Sequence, residues 1–176
     1  MFGGTVDVEV SVDSPSGLAP TAGTSTLLAL EAGSTAWVEV ATSTSPGADF
    51  LDVRPWMNTT YKVAYSGSSD TGNGDSWAAS ESEPFTIGVK RRIVHPATGF
   101  DLSGRVTPRF GRQVVVVRAS RDKATGYTVV KRVRTDRRGR YSYVLPKRRG
   151  TWYWILRVTG DARYRGNAFA YQTNVF

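Results

Sequence analysis

Alternation of period two is the feature that most restricts how this 176-residue chain can fold. Val6, Val8, Val10 and Val12 are separated by Asp7, Glu9 and Ser11, which puts the valines on one face of a half-buried strand. Leu28 and Leu30, Trp37 to Val40, Phe50 to Val53, and Tyr61, Val63 and Tyr65 continue the pattern, and Phe85 to Val89 closes it. Ser-Pro-Ser-Gly at 14–17, Ser-Pro-Gly at 45–47 and the stretch 66–76 between these runs are turn chemistry. No segment carries the apolar spacing of a helix. Short strands with a turn about every 8–12 residues predict an all-β sandwich or barrel.

The second half repeats the first. A shift of 91 sets Pro55, Thr60 and Tyr61 on Pro146, Thr151 and Trp152, and sets Thr44, Phe50 and Val53 on Thr135, Tyr141 and Val144. Tyr61, Val63 and Tyr65 then fall on Trp152, Trp154 and Leu156, with two further residues bringing Ser66-Gly67 onto Thr159-Gly160. An even insertion keeps every side chain on its face, so the agreement is one of spacing and parity.

Charge divides at the same place. Residues 1–89 hold two cations (Arg54 and Lys62) against eleven carboxylates, and residues 90–176 hold 21 cations against four, giving the net +8. Such an imbalance speaks of partners rather than of fold: the second half faces something acidic. With no cysteine there is no disulfide and no thiol-based metal or redox site. The start, Met1-Phe2-Gly3-Gly4, has neither a basic nor an apolar leader region, and no apolar run approaches the roughly 18 residues of a membrane span.

Several segments resemble a known family. Trp37-Val-Glu-Val-Ala-Thr42, Pro46-Gly-Ala-Asp-Phe50, Val53-Arg-Pro55 and Thr59-Thr-Tyr-Lys-Val-Ala-Tyr-Ser-Gly67 look like the bacterial Ig-like sandwich modules of high-GC Gram-positive bacteria and their phages. In the second half Ser103 to Pro108, Asp136 to Tyr141, Leu145-Pro146 and Gly150 to Tyr153 resemble the same pattern. The likeness covers roughly 5–89 and 94–176. It implies two tandem Ig-like antiparallel β-sandwiches: an acidic one at 1–89, a basic linker at 90–97 and a basic one at 98–176. The strand that opens such modules is missing before Val6, which leaves an edge that a neighbour's strand can fill.

The inventory argues against an enzyme and against any cofactor. The one histidine, His95, precedes Pro96 in the expected linker, and no Gly-x-Ser-x-Gly elbow exists. The acidic pairs Asp49/Asp52 and Glu81/Glu83 read as a solvated face rather than as glycosidase carboxylates. Asp70, Asn73 and Asp75 supply oxygens, but their spacing misses a calcium loop, so no metal site is expected.

The candidate partner-binding residues are basic and aromatic. Arg132 and Arg134 share strand parity, Arg137-Arg138 and Lys147-Arg148-Arg149 sit at turns at an end of the sandwich, and Tyr153, Ile155 and Arg157 point away from Trp152, Trp154 and Leu156. These fit an acidic protein lattice, such as capsid or tail proteins, or a cell-wall polyanion. No recognition helix or RNA-binding strand accompanies the charge, so nucleic acid ranks third. Trp56 and Trp77, next to turns, are the candidates for glycan stacking. The expectation is therefore a non-catalytic structural or adhesive virion protein: a phage capsid decoration or fibre, or an accessory tail component, anchored by its basic half. Opposite charges and the open edge also permit homo-oligomers. The alternative is a carbohydrate or cell-wall binding module at an extracellular or cell-surface location.

Overall fold

In the computed structural model, residues 1–14, 17–69, 76–95 and 99–176 are described. The backbone divides into two compact units, Gly3–Val89 and Lys90–Phe176, the latter joined by Met1–Phe2. Every regular element is a strand.

The first unit contains β1 (Val6–Val8), β2 (Ser25–Glu31), β3 (Val38–Ser43), β4 (Phe50–Val53), β5 (Thr59–Tyr65), β6 (Ser68–Ser69), β7 (Ser76–Trp77), β8 (Ser80–Glu81) and β9 (Phe85–Ile87). One sheet is the antiparallel pair β1-β4, a second has the order β3-β2-β5 with β8 and β9 both on the far side of β5, and β6-β7 form a separate two-stranded antiparallel sheet. Leu27, Ala29 and Tyr61 on one sheet meet Val8, Phe50 and Val53 on the other to form the core. Leu28 and Leu30, expected on the buried face, are half-buried on the outer one, because the parity of β2 is set by Ser25, Leu27 and Ala29. Ser25 is admitted to the interior because its hydroxyl donates to the Pro46 carbonyl.

The second unit contains β10 (Arg92–Val94), β11 (Asp101–Thr107), β12 (Val114–Ser120), β13 (Thr128–Arg134), β14 (Arg140–Val144), β15 (Gly150–Val158) and β16 (Asn167–Val175). The order β10-β11-β14 makes one sheet and β13-β12-β15-β16 the other, all antiparallel. Leu102, Val106, Val115, Val117, Trp154, Leu156 and Val158 fill the space between. Trp154 is fully buried, and its indole N–H donates to Thr173 Oγ1 at 2.9 Å. Both units are thus antiparallel β-sandwiches. When the fully buried Leu27 and Val117 are set in register, Tyr61 (opposite Ala29) corresponds to Trp154 (opposite Ala119). The two extra residues of the second unit therefore lie before Trp154, not after Leu156.

Residues 90–95 overturn the expectation of a linker at 90–97. Arg92–Val94 is the edge strand of the second sandwich, with Ile93 packed on its core. Arg91 is only 3% exposed: its guanidinium donates to Pro108 O at 3.1 Å and to Asp161, and lies 4.5 Å from the Tyr164 ring and 5.1 Å from that of Phe110. A run of cations reads as solvated, but two aromatic faces and a carboxylate give this one a buried seat. His95, also assigned to the linker, stacks on Phe169 at 3.7 Å; Pro96 lies outside the described residues. Met1 and Phe2 leave the first unit as well, Phe2 N donating to Lys90 O at 2.9 Å. Gly104 is required here, because a Cβ at that position would stand 1.9 Å from Val94 O. Only glycine lets β10 lie this close to β11.

Candidate functional site

Four strands of the second unit, β13-β12-β15-β16, carry five cations (Arg118, Lys131, Arg132, Arg134, Arg157) and no carboxylate. Their inward residues are consumed by the core, so strand parity decides what the outer face shows. Register lines these residues up in rows. Arg134 stands opposite Val114; Arg132, Val116, Arg157 and Ala168 follow one another across the sheet; Val129, Arg118, Ile155 and Ala170 form the next row, and Tyr153 pairs with Gln172 beyond it. The result is a cationic face interleaved with aliphatic side chains, with Val114 39% and Val129 45% exposed. A bulge between Val117 and Arg118 lets β13 turn Val130 and Val133 into the core while Arg132 and Arg134 stay outside.

Neighbouring backbone steadies two of the guanidiniums. Arg118 Nη2 donates to Tyr127 O at 2.5 Å and Arg134 Nε to Arg112 O at 3.2 Å. Among the described residues the ion pairs are Lys62–Glu81 and Arg91–Asp161, so no carboxylate neutralises Arg118, Arg132, Arg134 or Arg157. A surface of this composition suits an acidic protein: charge steers and orients, while Val114, Val116, Val129 and Ile155 supply area that loses water on contact.

The structure brings together Arg132, Arg134, Tyr153, Ile155 and Arg157 of the expected set. It separates the rest. Arg137-Arg138 and Lys147-Arg148-Arg149 flank β14 on either side, so the two turns are at opposite ends of the sandwich. The first turn is built by Asp136, whose Oδ1 accepts the Arg138 and Arg140 N–H groups at 2.8 Å each. The Arg140 N–H above all holds the Asp136 carboxyl below the usual range. At the other end Arg148 lies 4.4 Å from the Trp152 ring and Arg121 4.7 Å from it. Trp152, expected in the core beside Trp154, packs against that core half-buried, and these two cations lie over its ring. Val114, Val116, Val129, Ala168 and Ala170 were not among the expected site residues. The unbroken run Val114–Val117, apolar on both faces of β12, was a usable signal for two of them, but only register shows which cations they adjoin.

Trp56 is 51% exposed, with Arg54 6.0 Å from its ring, whereas Trp77 is half-buried. The seven residues of β5 separate them, roughly 20 Å of strand, so they form no common platform for a sugar. One carboxylate of each acidic pair has a local structural partner: Glu81 binds Lys62 at 2.6 Å and Asp49 accepts Val10 N at 2.8 Å. Among the described residues no three His, Asp or Glu side chains are placed to hold a metal; Asp70, Asn73 and Asp75 lie outside them. No helix among these residues is long and apolar enough to cross a membrane.

No protein-family model matches the chain, and no curated protein does. Among solved structures the chain is similar to the FN1–FN3 domains of chicken CNTN1, at 13% identity and a TM-score of 0.32. That match covers 96% of this chain, which spans 62% of the length of the solved one. At such a score the likeness carries no argument, and the assignment of an all-β sandwich stands on the sheets themselves.

Proposed function

We propose that this chain is a non-catalytic docking protein whose second unit binds an acidic protein surface through the outer face of β13-β12-β15-β16. The observation that carries the reading is the row Arg132, Val116, Arg157, Ala168 beside the row Val129, Arg118, Ile155, Ala170, on strands without a single carboxylate. Interleaved aliphatic groups favour a folded acidic protein over nucleic acid. A single-stranded polyanion would be gripped by stacking aromatics, and of these the face offers Tyr153 alone.

The setting we propose is a phage particle, where a repeating acidic lattice presents the same surface many times: a capsid decoration or fibre, or an accessory tail component. It rests on the resemblance of both halves to Ig-like modules of high-GC Gram-positive bacteria and their phages. Peptide mass spectrometry of density-purified particles, with stoichiometry against the major capsid protein, tests it. Tens to hundreds of copies fit a decoration or fibre and a handful fit the tail. Absence discards the virion setting.

A further inference from the structure

Among the described residues, the first unit has no counterpart of the strand that closes the second. In the second unit β10 pairs antiparallel with β11 and reaches across to β16 through the Asn167 amide on Arg91 O at 2.7 Å and the His95–Phe169 stack. It thereby seals the mouth between the two sheets, with Ile93 pointing into the core. The counterparts in the first unit are β1 and β8/β9, and among the described residues no strand lies between them. In that place is a groove of about 360 Å³. One wall is the Glu9–Asp13 stretch that continues β1, the other is Ser80–Glu83 with Phe85, and the floor is Val63 and Tyr65, core-facing residues of β5. Val10 and Val12 stand half-buried along it, and Phe85 is part-exposed. Glu9–Asp13 joins no sheet, although it continues the alternation of β1.

We propose that this groove accepts an extended segment of a partner protein as a seventh-strand equivalent of β10, with apolar side chains at alternate positions turned inward and lysines or arginines at the others. Charge selects the occupant: Glu9, Asp13, Glu81 and Glu83 rim the groove, and Lys62 neutralises Glu81 alone. The same carboxylates oppose closure by a second copy, because a two-fold contact would bring one acidic rim against the other. The chain's own β10 shows the chemistry that fits, since Lys90-Arg91-Arg92-Ile93-Val94 is basic with a single inward isoleucine. Main-chain pairing would give affinity and the inward side chains selectivity.

The test uses the full chain and a fluorescent peptide of alternating valine with lysine or arginine. Its controls are a valine–glutamate peptide and a copy of the basic peptide methylated on alternate backbone nitrogens. Saturable binding of the basic peptide alone is expected, with hydrogen-exchange protection gained in residues 6–13 and 80–87. Reversing the exposed carboxylates (Glu9→Lys with Glu83→Lys) is expected to weaken it at least tenfold. Equal binding of the methylated peptide would reduce the effect to charge and overturn strand addition, and so would protection gained only in residues 90–176 or no binding at millimolar peptide. A self-associating chain whose mass falls on Glu9→Lys would make a second copy the occupant and overturn the partner assignment.

Discussion

Replacing Arg91 with alanine separates a structural anchor from a linker residue. In a linker the change would stay within about 0.5 kcal/mol, as surface substitutions do. In the structure the side chain is almost fully buried and holds Pro108 O, Asp161, Phe110 and Tyr164 together. Loss of the hydrogen bond to the buried carbonyl costs about 1 kcal/mol. The pair with Asp161, whose side chain is half-exposed, contributes at most about 1 kcal/mol after solvent screening. Each ring contact adds about 0.5–1 kcal/mol. Arg91 Nη1 is buried without a partner, which offsets about 1 kcal/mol of this and leaves a net cost of about 2 kcal/mol. At 4–8 °C per kcal/mol for a unit of this size, the melting temperature of the second unit should fall by about 8–16 °C. Peptide-resolved hydrogen exchange during heating assigns the change, because β11 and β12 should lose protection early while β2 keeps its own. A melting temperature within about 2 °C of the parent would refute the anchor, since that is the range of a neutral surface change.

Three further outcomes follow from the same unit. Burial pushes the Asp161 carboxyl upward, but the hydrogen bond and charge of Arg91 and the Tyr164 and Arg163 N–H groups outweigh it, so its pKa lies below the ordinary value. A depressed carboxylate stabilises above its unfolded pKa and loses that contribution as pH falls through the folded one, so the deficit of Asp161→Asn relative to the parent should be present at neutral pH and shrink progressively as pH falls below about 4 in acid-unfolding curves. Burial raises the Tyr141 hydroxyl, which donates to Val94 O at 2.9 Å, to about 12. The protonated phenol therefore contributes stability that is intact below about pH 10 and is lost as pH rises through the folded value; burial also raises Tyr61 and Tyr171, and ultraviolet titration should lose one late ionisation, near pH 12, on Tyr141→Phe. Gly104→Ala drives a methyl into Val94 O and should cost about 2–3 kcal/mol, read as lost exchange protection in Arg92–Val94 before any other strand.

Much of this architecture is legible in the sequence, and the rest fails for definable reasons. Alternation and turn spacing identify the strands because these signals are local, the repeat gives two sandwiches, and the resemblance to Ig-like modules implies the absent opening strand. Lys90-Arg91-Arg92 misleads because composition cannot show that Phe110, Tyr164 and Asp161 converge on Arg91 from segments far along the chain. Trp152 follows its parity, packing on the core as Trp154 does, but near the end of β15 it stays half-buried with Arg121 and Arg148 over its ring, which alternation alone does not show. The basic face was half visible. Parity joins Arg132 to Arg134 and Tyr153 to Ile155 and Arg157, whereas only inter-strand register adds Arg118, Val116 and Val129 as neighbours, and the strand order sends Arg137 and Lys147 to opposite ends.

The measurement that bears most directly on the docking reading is occupancy of purified particles by the parent chain and by a double charge reversal, Arg132→Glu with Arg157→Glu. Both side chains are exposed and lie outside the core, so the variant should fold and melt as the parent does. The account predicts that the parent binds to saturation, and that the reversal lowers affinity at least tenfold, about 1.4 kcal/mol, with a weaker dependence on salt. Undiminished binding of the folded variant would contradict it.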